Sequence, residues 1–203
     1  MGQVVLSKCL VTTEADWIPI VLDQDLCDLA IEKATLQEEQ SKQRRLKDRA
    51  IDKDPERSLR CSIGAKRAEY AVHQYYDRVP RVTNPGEFHD WPDVGRANVR
   101  FIGDPEDGLM IQDRDQGDLP MILCTSKDKT FSDRTIWLVG WHQTDQMRRI
   151  FYLVNQFREI KNWGRMGNDF EPHEQFIFPR SMLLPMKLLS EKDMKTPWVS
   201  KSK

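Results

Sequence analysis

Pro92-Asp93-Val94-Gly95-Arg96-Ala97-Asn98-Val99-Arg100-Phe101-Ile102 is the segment on which the fold of this chain turns. An aspartate here precedes a glycine able to take a sharp turn or bulge. Residues 97–102 then read as a strand, whose alternation sets Asn98 and Arg100 on one face, Val99 and Phe101 on the other. An acid at a strand-turn therefore stands beside an amide and a cation on the strand that follows.

Upstream, a helix is expected from near Ser62. On a helical wheel Gly64, Ala68, Ala71, Val72 and Tyr75 share one arc, and Glu69 lies at its border, roughly 60° beyond Val72. Gly64 and Ala68 permit close approach to a sheet, and a border carboxylate can reach past the packed face. Asn84-Pro85-Gly86 reads as a turn. Downstream, 103–108 reads as a hairpin loop. Leu109-Met110-Ile111, 120–125 and 135–141 then complete a sheet, separated by the polar loops 112–118 and 126–134.

The flanks are simpler. Val4-Val5-Leu6 and Trp17-Ile18-Pro19-Ile20-Val21 suit one or two strands or an extended arm. Asp23 or Asp25 can cap a helix carrying Leu22, Leu26, Leu29, Ala30 and Ala34 at helical spacing. It is expected to run on towards Ala50 and to end at Asp52-Lys53-Asp54-Pro55, because the residue before proline is pushed out of the α region. A helix over 146–160, capped by Thr144 or Asp145, carries Met147, Ile150, Phe151, Val154 and Phe157. Phe176-Ile177-Phe178 suits a strand, 181–189 a short helix disturbed by Pro185, and 196–203 a loose tail.

At 203 residues, with 39% hydrophobic and 31% charged side chains, the chain can bury a substantial core and is not disordered in composition. One domain is expected over 1–203, with its core at about 60–141, a helical and basic segment at 22–57 and an extension at 142–203. No apolar run approaches the roughly 18 residues needed to span a bilayer. Met1-Gly2-Gln3-Val4-Val5-Leu6 has no basic n-region before a long apolar segment. The expectation is an intracellular protein, in the cytoplasm of a host cell, without a membrane partner. Cys9, Cys27, Cys61 and Cys124 show no C-x-x-C spacing, which disfavours zinc ribbons and redox dithiols and leaves buried free thiols.

The net charge is only −1 but unevenly spread. Residues 42–67 hold ten Lys/Arg against four Asp/Glu, and residues 85–118 hold nine Asp/Glu against three Lys/Arg. An acidic centre beside a basic shoulder suits a metal-dependent nuclease: carboxylates for the cation, basic residues for phosphates. The candidate phosphate contacts are Lys42, Arg44, Arg45, Lys47, Arg49, Lys66 and Arg67, with DNA as the expected partner. Mg²⁺ prefers oxygen ligands, often one or two carboxylates plus water and phosphate oxygens. Asp93 suits the principal ligand, Asn98 a neutral carbonyl ligand and Arg100 the cation, while Glu69 could bind a second metal or hold a metal-bound water.

At these residues the chain resembles the PD-(D/E)xK nuclease superfamily, and within it small phage-encoded proteins. The resemblance rests on Gly64 and Glu69 on one helix, Pro92-Asp93-Val94-Gly95, and Asn98-Val99-Arg100. It continues through Leu109-Met110-Ile111, a strand at 121–124 and Val139-Gly140-Trp141, and covers about residues 60–141. It implies an α/β (α+β) fold of restriction-endonuclease-like type, a central mixed sheet flanked by helices. It also implies endonuclease activity, phosphodiester hydrolysis dependent on Mg²⁺ or Mn²⁺, with Glu69, Asp93, Asn98 and Arg100 as catalytic residues and Asp93, Asn98 and Glu69 as metal ligands. Two positions depart from the pattern. Asn98 stands where the superfamily has Asp or Glu, and Arg100 stands where it has Lys. Arginine cannot give up a proton at neutral pH, so only charge stabilisation remains to it. The alternative is a nuclease scaffold without catalysis that binds DNA or a host protein. A histidine metal enzyme built on His89, Asp90 and His142 matches no recognisable spacing. Trp137 and Trp141 could stack on bases, but such apolar strands more commonly bury them.

Overall fold

The run Pro120–Thr125 is buried at every position, the mark of a strand covered on both faces. The fold forms around it. The computed structural model describes residues 12–48, 55–77, 92–103, 108–112, 115, 117, 119–128, 133–157 and 175–195. In chain order the elements are β1 (Ile18–Val21), α1 (Gln24–Asp48), α2 (Pro55–Tyr75), β2 (Asn98–Ile102), β3 (Leu109–Gln112), β4 (Pro120–Thr125), β5 (Thr135–Gln143), α3 (Thr144–Phe157), β6 (Gln175–Phe178) and a short α4 (Glu191–Lys195). The main sheet has the order β1-β5-β4-β2. It is mixed: β2 runs parallel to β4, while β5 is antiparallel to both β1 and β4.

Strand alternation feeds two cores. Val99, Ile122, Cys124, Ile136 and Leu138 join Ala30 of α1 and Ala68, Ala71 and Val72 of α2 on one face. Met121, Leu123 and Val139 join Leu109, Ile111, Phe178 and Met147 on the other. The result is a mixed α and β architecture: a helical pair, a mixed sheet, and a layer built from β3, β6 and α3. In β5 the register slips, with Leu123 opposite Gly140 but Cys124 opposite Leu138, so Val139 is the extra residue of a bulge. That slip lets Trp141 pack with the helix-side core and places the His142 ring against Phe178.

The expected hairpin joining residues 97–102 to Leu109-Met110-Ile111 does not form. β3 instead pairs antiparallel with β6 as a separate two-stranded ribbon. The reason lies in its alternation: β3 buries Leu109 and Ile111 and leaves Met110 and Gln112 half-exposed. It has one apolar face to lay over the sheet, whereas β4 has two. Pro55 also acts differently from expectation. It opens α2 seven residues before Ser62, because a proline at the first helical turn loses no hydrogen bond and arrives with its φ preset. Residues 181–189 do not form one short helix but two 3-10 turns, at Arg180–Met182 and Met186–Leu188, divided by Pro185. The expected strand at Val4-Val5-Leu6, the turn at Asn84-Pro85-Gly86 and the tail at 196–203 lie outside the described residues.

Two contacts place the site. A Cβ on Gly64 would collide with the Phe101 ring, so glycine is what lets α2 lie against β2. Glu38 of α1 is buried and accepts hydrogen bonds from Ser58 (3.1 Å) and Ser62 (2.6 Å) of α2, clasping the two helices together. Among the described residues no helix is long and apolar enough to cross a membrane.

Candidate functional site

The site lies where β2 forms the open edge of the sheet. Asp93 reaches it through a tight turn: Val94 N–H donates to Ala97 O (3.0 Å) and Ala97 N–H donates to Val94 O (2.8 Å). Gly95, the first of the two turn residues, has φ 58°, a conformation that costs glycine little and other residues more. The reversal brings Asp93 back along β2, where its Oδ2 accepts the Val99 N–H at 2.7 Å.

Glu69 approaches from α2. Lys66, one turn earlier, donates to both of its oxygens at 2.9 Å, and the two side chains are each a fifth exposed. Burial and the negative charge of Asp93 push the Glu69 carboxyl up to about 7, against the pull of Lys66. Asp93 is raised too, chiefly by burial, with the Val99 N–H, Arg100 and Lys66 opposing the shift. Asp93 thus stands near enough to resist the ionisation of Glu69, while the carboxylate that adds to the rise of Asp93 is Asp115. Raising Glu69 from 4.5 to about 7 corresponds to a penalty on the order of 3 kcal/mol for its charged form.

Arg100 comes from the opposite face of β2, since Val99 and Phe101 point into the helix-side core. Its Nη2 lies 2.6 Å from Oδ1 of Asp115, a side chain only 4% exposed. Asp115 Oδ2 also accepts the Gln112 N–H at 2.8 Å. Arg148 of α3 donates to the carbonyls of Gln112 (2.9 Å) and Asp115 (2.7 Å), pinning the backbone on either side of the clamp. A row of alternating charges therefore rounds the sheet edge: Arg148, Asp115, Arg100, Asp93, Lys66, Glu69.

Of the four expected catalytic residues, Glu69 and Asp93 are brought together, and Arg100 reaches Asp93 electrostatically. Asn98 opens β2 half-buried and, by alternation, on the face away from the helices. Asp115 was not foreseen. Within the polar loop it shares its residue type with Asp113 and Asp118, and nothing local distinguishes the one that meets Arg100.

The basic shoulder shrinks. Arg67 is buried, not surface-exposed as expected, and its Nη1 donates to Asp133 O at 3.3 Å. It lies on the packed side of α2, where its long stem fills space between elements. Lys66 is turned onto Glu69. The side chains of Lys42, Arg44, Arg45 and Lys47, and all of Arg49, lie outside the described residues. His142 is buried with Nδ1 accepting the Gln143 N–H at 2.9 Å, and burial lowers its pKa. His89 and Asp90 lie outside the described residues. Trp141 donates its indole N–H to Pro185 O at 3.2 Å and packs against the core, while Trp137 carries the Lys127 ammonium 4.3 Å over its ring. Cys27 and Cys124 are buried free thiols as expected; Cys61, on the outer side of α2, is exposed instead. Cys9 lies outside the described residues.

Among the described residues no group of three or more His, Cys, Asp or Glu is placed to hold a metal ion. Two neighbouring carboxylates at a strand edge are within what Mg²⁺ takes from a protein when water and phosphate supply the rest. Comparison with family models, with curated proteins and with solved structures finds no match to this chain.

Proposed function

We propose that this chain is a divalent-metal-dependent nuclease-like protein of restriction-endonuclease-like fold that acts on DNA phosphodiester bonds. The single observation that carries the reading is the convergence of Glu69 and Asp93, from separate segments, onto one half-buried edge where their charges oppose each other. Lys66 is bonded to one of the two acids only, and Mg²⁺ or Mn²⁺ would add the positive charge that the pair still lacks. When bound, the ion supplies positive charge to phosphate oxygens and lowers the pKa of water.

The chain's own residues then have distinct tasks. Asp93 and Glu69 would hold the cation, and Asn98 would be the neutral oxygen donor of the motif. The Val99 N–H orients the Asp93 carboxylate. Arg100 contributes fixed positive charge and no proton transfer. The basic segment from Lys42 to Arg49 suits the DNA backbone.

The test is incubation with supercoiled, branched and single-stranded DNA in Mn²⁺. Cleavage is expected in the wild type and lost in Asp93→Ala and Glu69→Ala. Equal cleavage by both variants, or none by the wild type on any substrate, defeats the assignment.

A second reading is favoured by one observation: Arg100 and Lys66 are already paired with Asp115 and Glu69. An inactive nuclease scaffold, binding DNA or a host protein in the manner of a phage interaction factor, would keep such internal pairs. Calorimetry separates the two, since heat of Mg²⁺ binding abolished by Asp93→Ala belongs to the enzyme reading alone.

A further inference from the structure

We infer that Lys66 is the resident counter-ion of this site: its ammonium occupies the Glu69 carboxylate that a divalent cation would take, gives way when that cation binds, and turns to the substrate phosphate. This rests on the nuclease reading above and adds a role for a residue outside the recognised motif. Lys66, its helix neighbour Arg67 and Arg100 of β2 differ in what holds them. Arg100 is fastened to Asp115, which is itself buried and bonded to the Gln112 backbone. Arg67 is buried and reaches the Asp133 carbonyl. Lys66 is held by the site's own carboxylate, at 2.9 Å from both oxygens of Glu69, and its charge also acts on Asp93.

The geometry suits exchange. Lys66 and Glu69 sit at i and i+3 on one helix, so the ammonium lies a turn behind its acid and on the same side. Both side chains keep a fifth of their surface in contact with solvent, leaving the ammonium a way out. A lysine head is compact and strongly hydrated on a flexible four-carbon stem, whereas arginine is a rigid fork best suited to a fixed partner. A dipositive ion between the same acids outcompetes a single tethered charge. The displaced ammonium would stay on the same helix face, one turn from Glu69, where it could pair with a substrate phosphate.

The experiment is calorimetric titration of the full chain with Mg²⁺ at about pH 8.5, where Glu69 is mostly ionised. Wild type, Lys66→Met and Asp93→Asn are compared, methionine keeping the apolar stem. Removal of the competing charge is expected to tighten Mg²⁺ by about two- to fivefold, on the scale of one partly exposed ion pair. Asp93→Asn is expected to abolish binding. If wild type binds, Asp93→Asn does not, and Lys66→Met binds equally or more weakly, the counter-ion role is wrong while the metal site stands. If neither wild type nor Lys66→Met binds Mg²⁺, the nuclease reading fails and takes this inference with it. Should Lys66→Met not fold, lysine side-chain NMR of the wild type decides. The Lys66 signal is expected to move towards that of a free lysine on Mg²⁺ saturation, and an unmoved signal overturns the role.

Discussion

The two sides of the β2 edge handle charge in opposite ways. On the side of β3 and α3, Arg100 is paired with Asp115 and Arg148 with Asp145, and the Asp115 carboxylate is nearly fully buried with both oxygens engaged. On the helix side, Lys66 is bonded to Glu69 and, among the described residues, no basic side chain is bonded to Asp93, and the carboxyl of Glu69 is pushed up to about 7. One side is a closed clamp; the other is short of positive charge. Stability alone would favour matching both, because a carboxylate kept beside another costs free energy at neutral pH. Under the proposal above, the helix side is the part that takes a ligand, and the clamp holds β2 beneath it.

Opening the clamp should disturb the molecule most. Asp115→Ala strands Arg100 and the Gln112 N–H, and should lower stability by about 3 kcal/mol or more, read from urea unfolding. A loss below about 1 kcal/mol would mean the pair is an ordinary surface contact, and the contrast between the two sides disappears.

Relieving the helix side should do the reverse. The folded-state pKa of Glu69 is raised above its ordinary value, so its contribution to stability is fully present below about pH 4.5 and is lost as pH rises through about 7. Glu69→Gln removes that loss. At about pH 8 the variant should be more stable than wild type by ~1–2 kcal/mol, a figure reduced for the partial exposure of the pair, with little gain at about pH 4. Denaturant midpoints across pH check this. A destabilised variant at both values would show that Lys66 already compensates the charge in full.

A milder change probes the hinge between the sides. Gly95→Ala places a side chain at φ 58° and should cost about 1 kcal/mol, loosening the turn that aims Asp93 at Val99. Amide exchange at Val99 is the sharper measurement, and faster exchange there than in neighbouring β4 is expected. No change at Val99 would mean that Asp93 is held by something other than its turn.

Much of this was readable from local chemistry. The Gly95 turn, the alternation of residues 98 to 101, the close approach at Gly64 and the border position of Glu69 depend on neighbours a few residues away. So does the apolar run from Leu119 to Cys124. What escaped reading were choices among equals. Lys66 and Arg67 were both expected at the surface as phosphate contacts, yet Lys66 meets Glu69 and Arg67 is buried. A helical wheel shows which residues share a face, not how wide a face the neighbouring elements will cover.

The strands, most of the helical spans, the turn at Gly95 and the candidate acids Glu69 and Asp93 were set by local sequence, because backbone propensity, side-chain period and turn chemistry act over a few residues. The pairing of β3 with β6, and the meeting of Arg100 with Asp115 out of a loop rich in aspartates, emerged only from long-range packing. So did the seating of Lys66 on the carboxylate of the site. Those outcomes depend on which distant surfaces bury one another, and the free energy of that choice is spread over contacts between segments far apart in the chain.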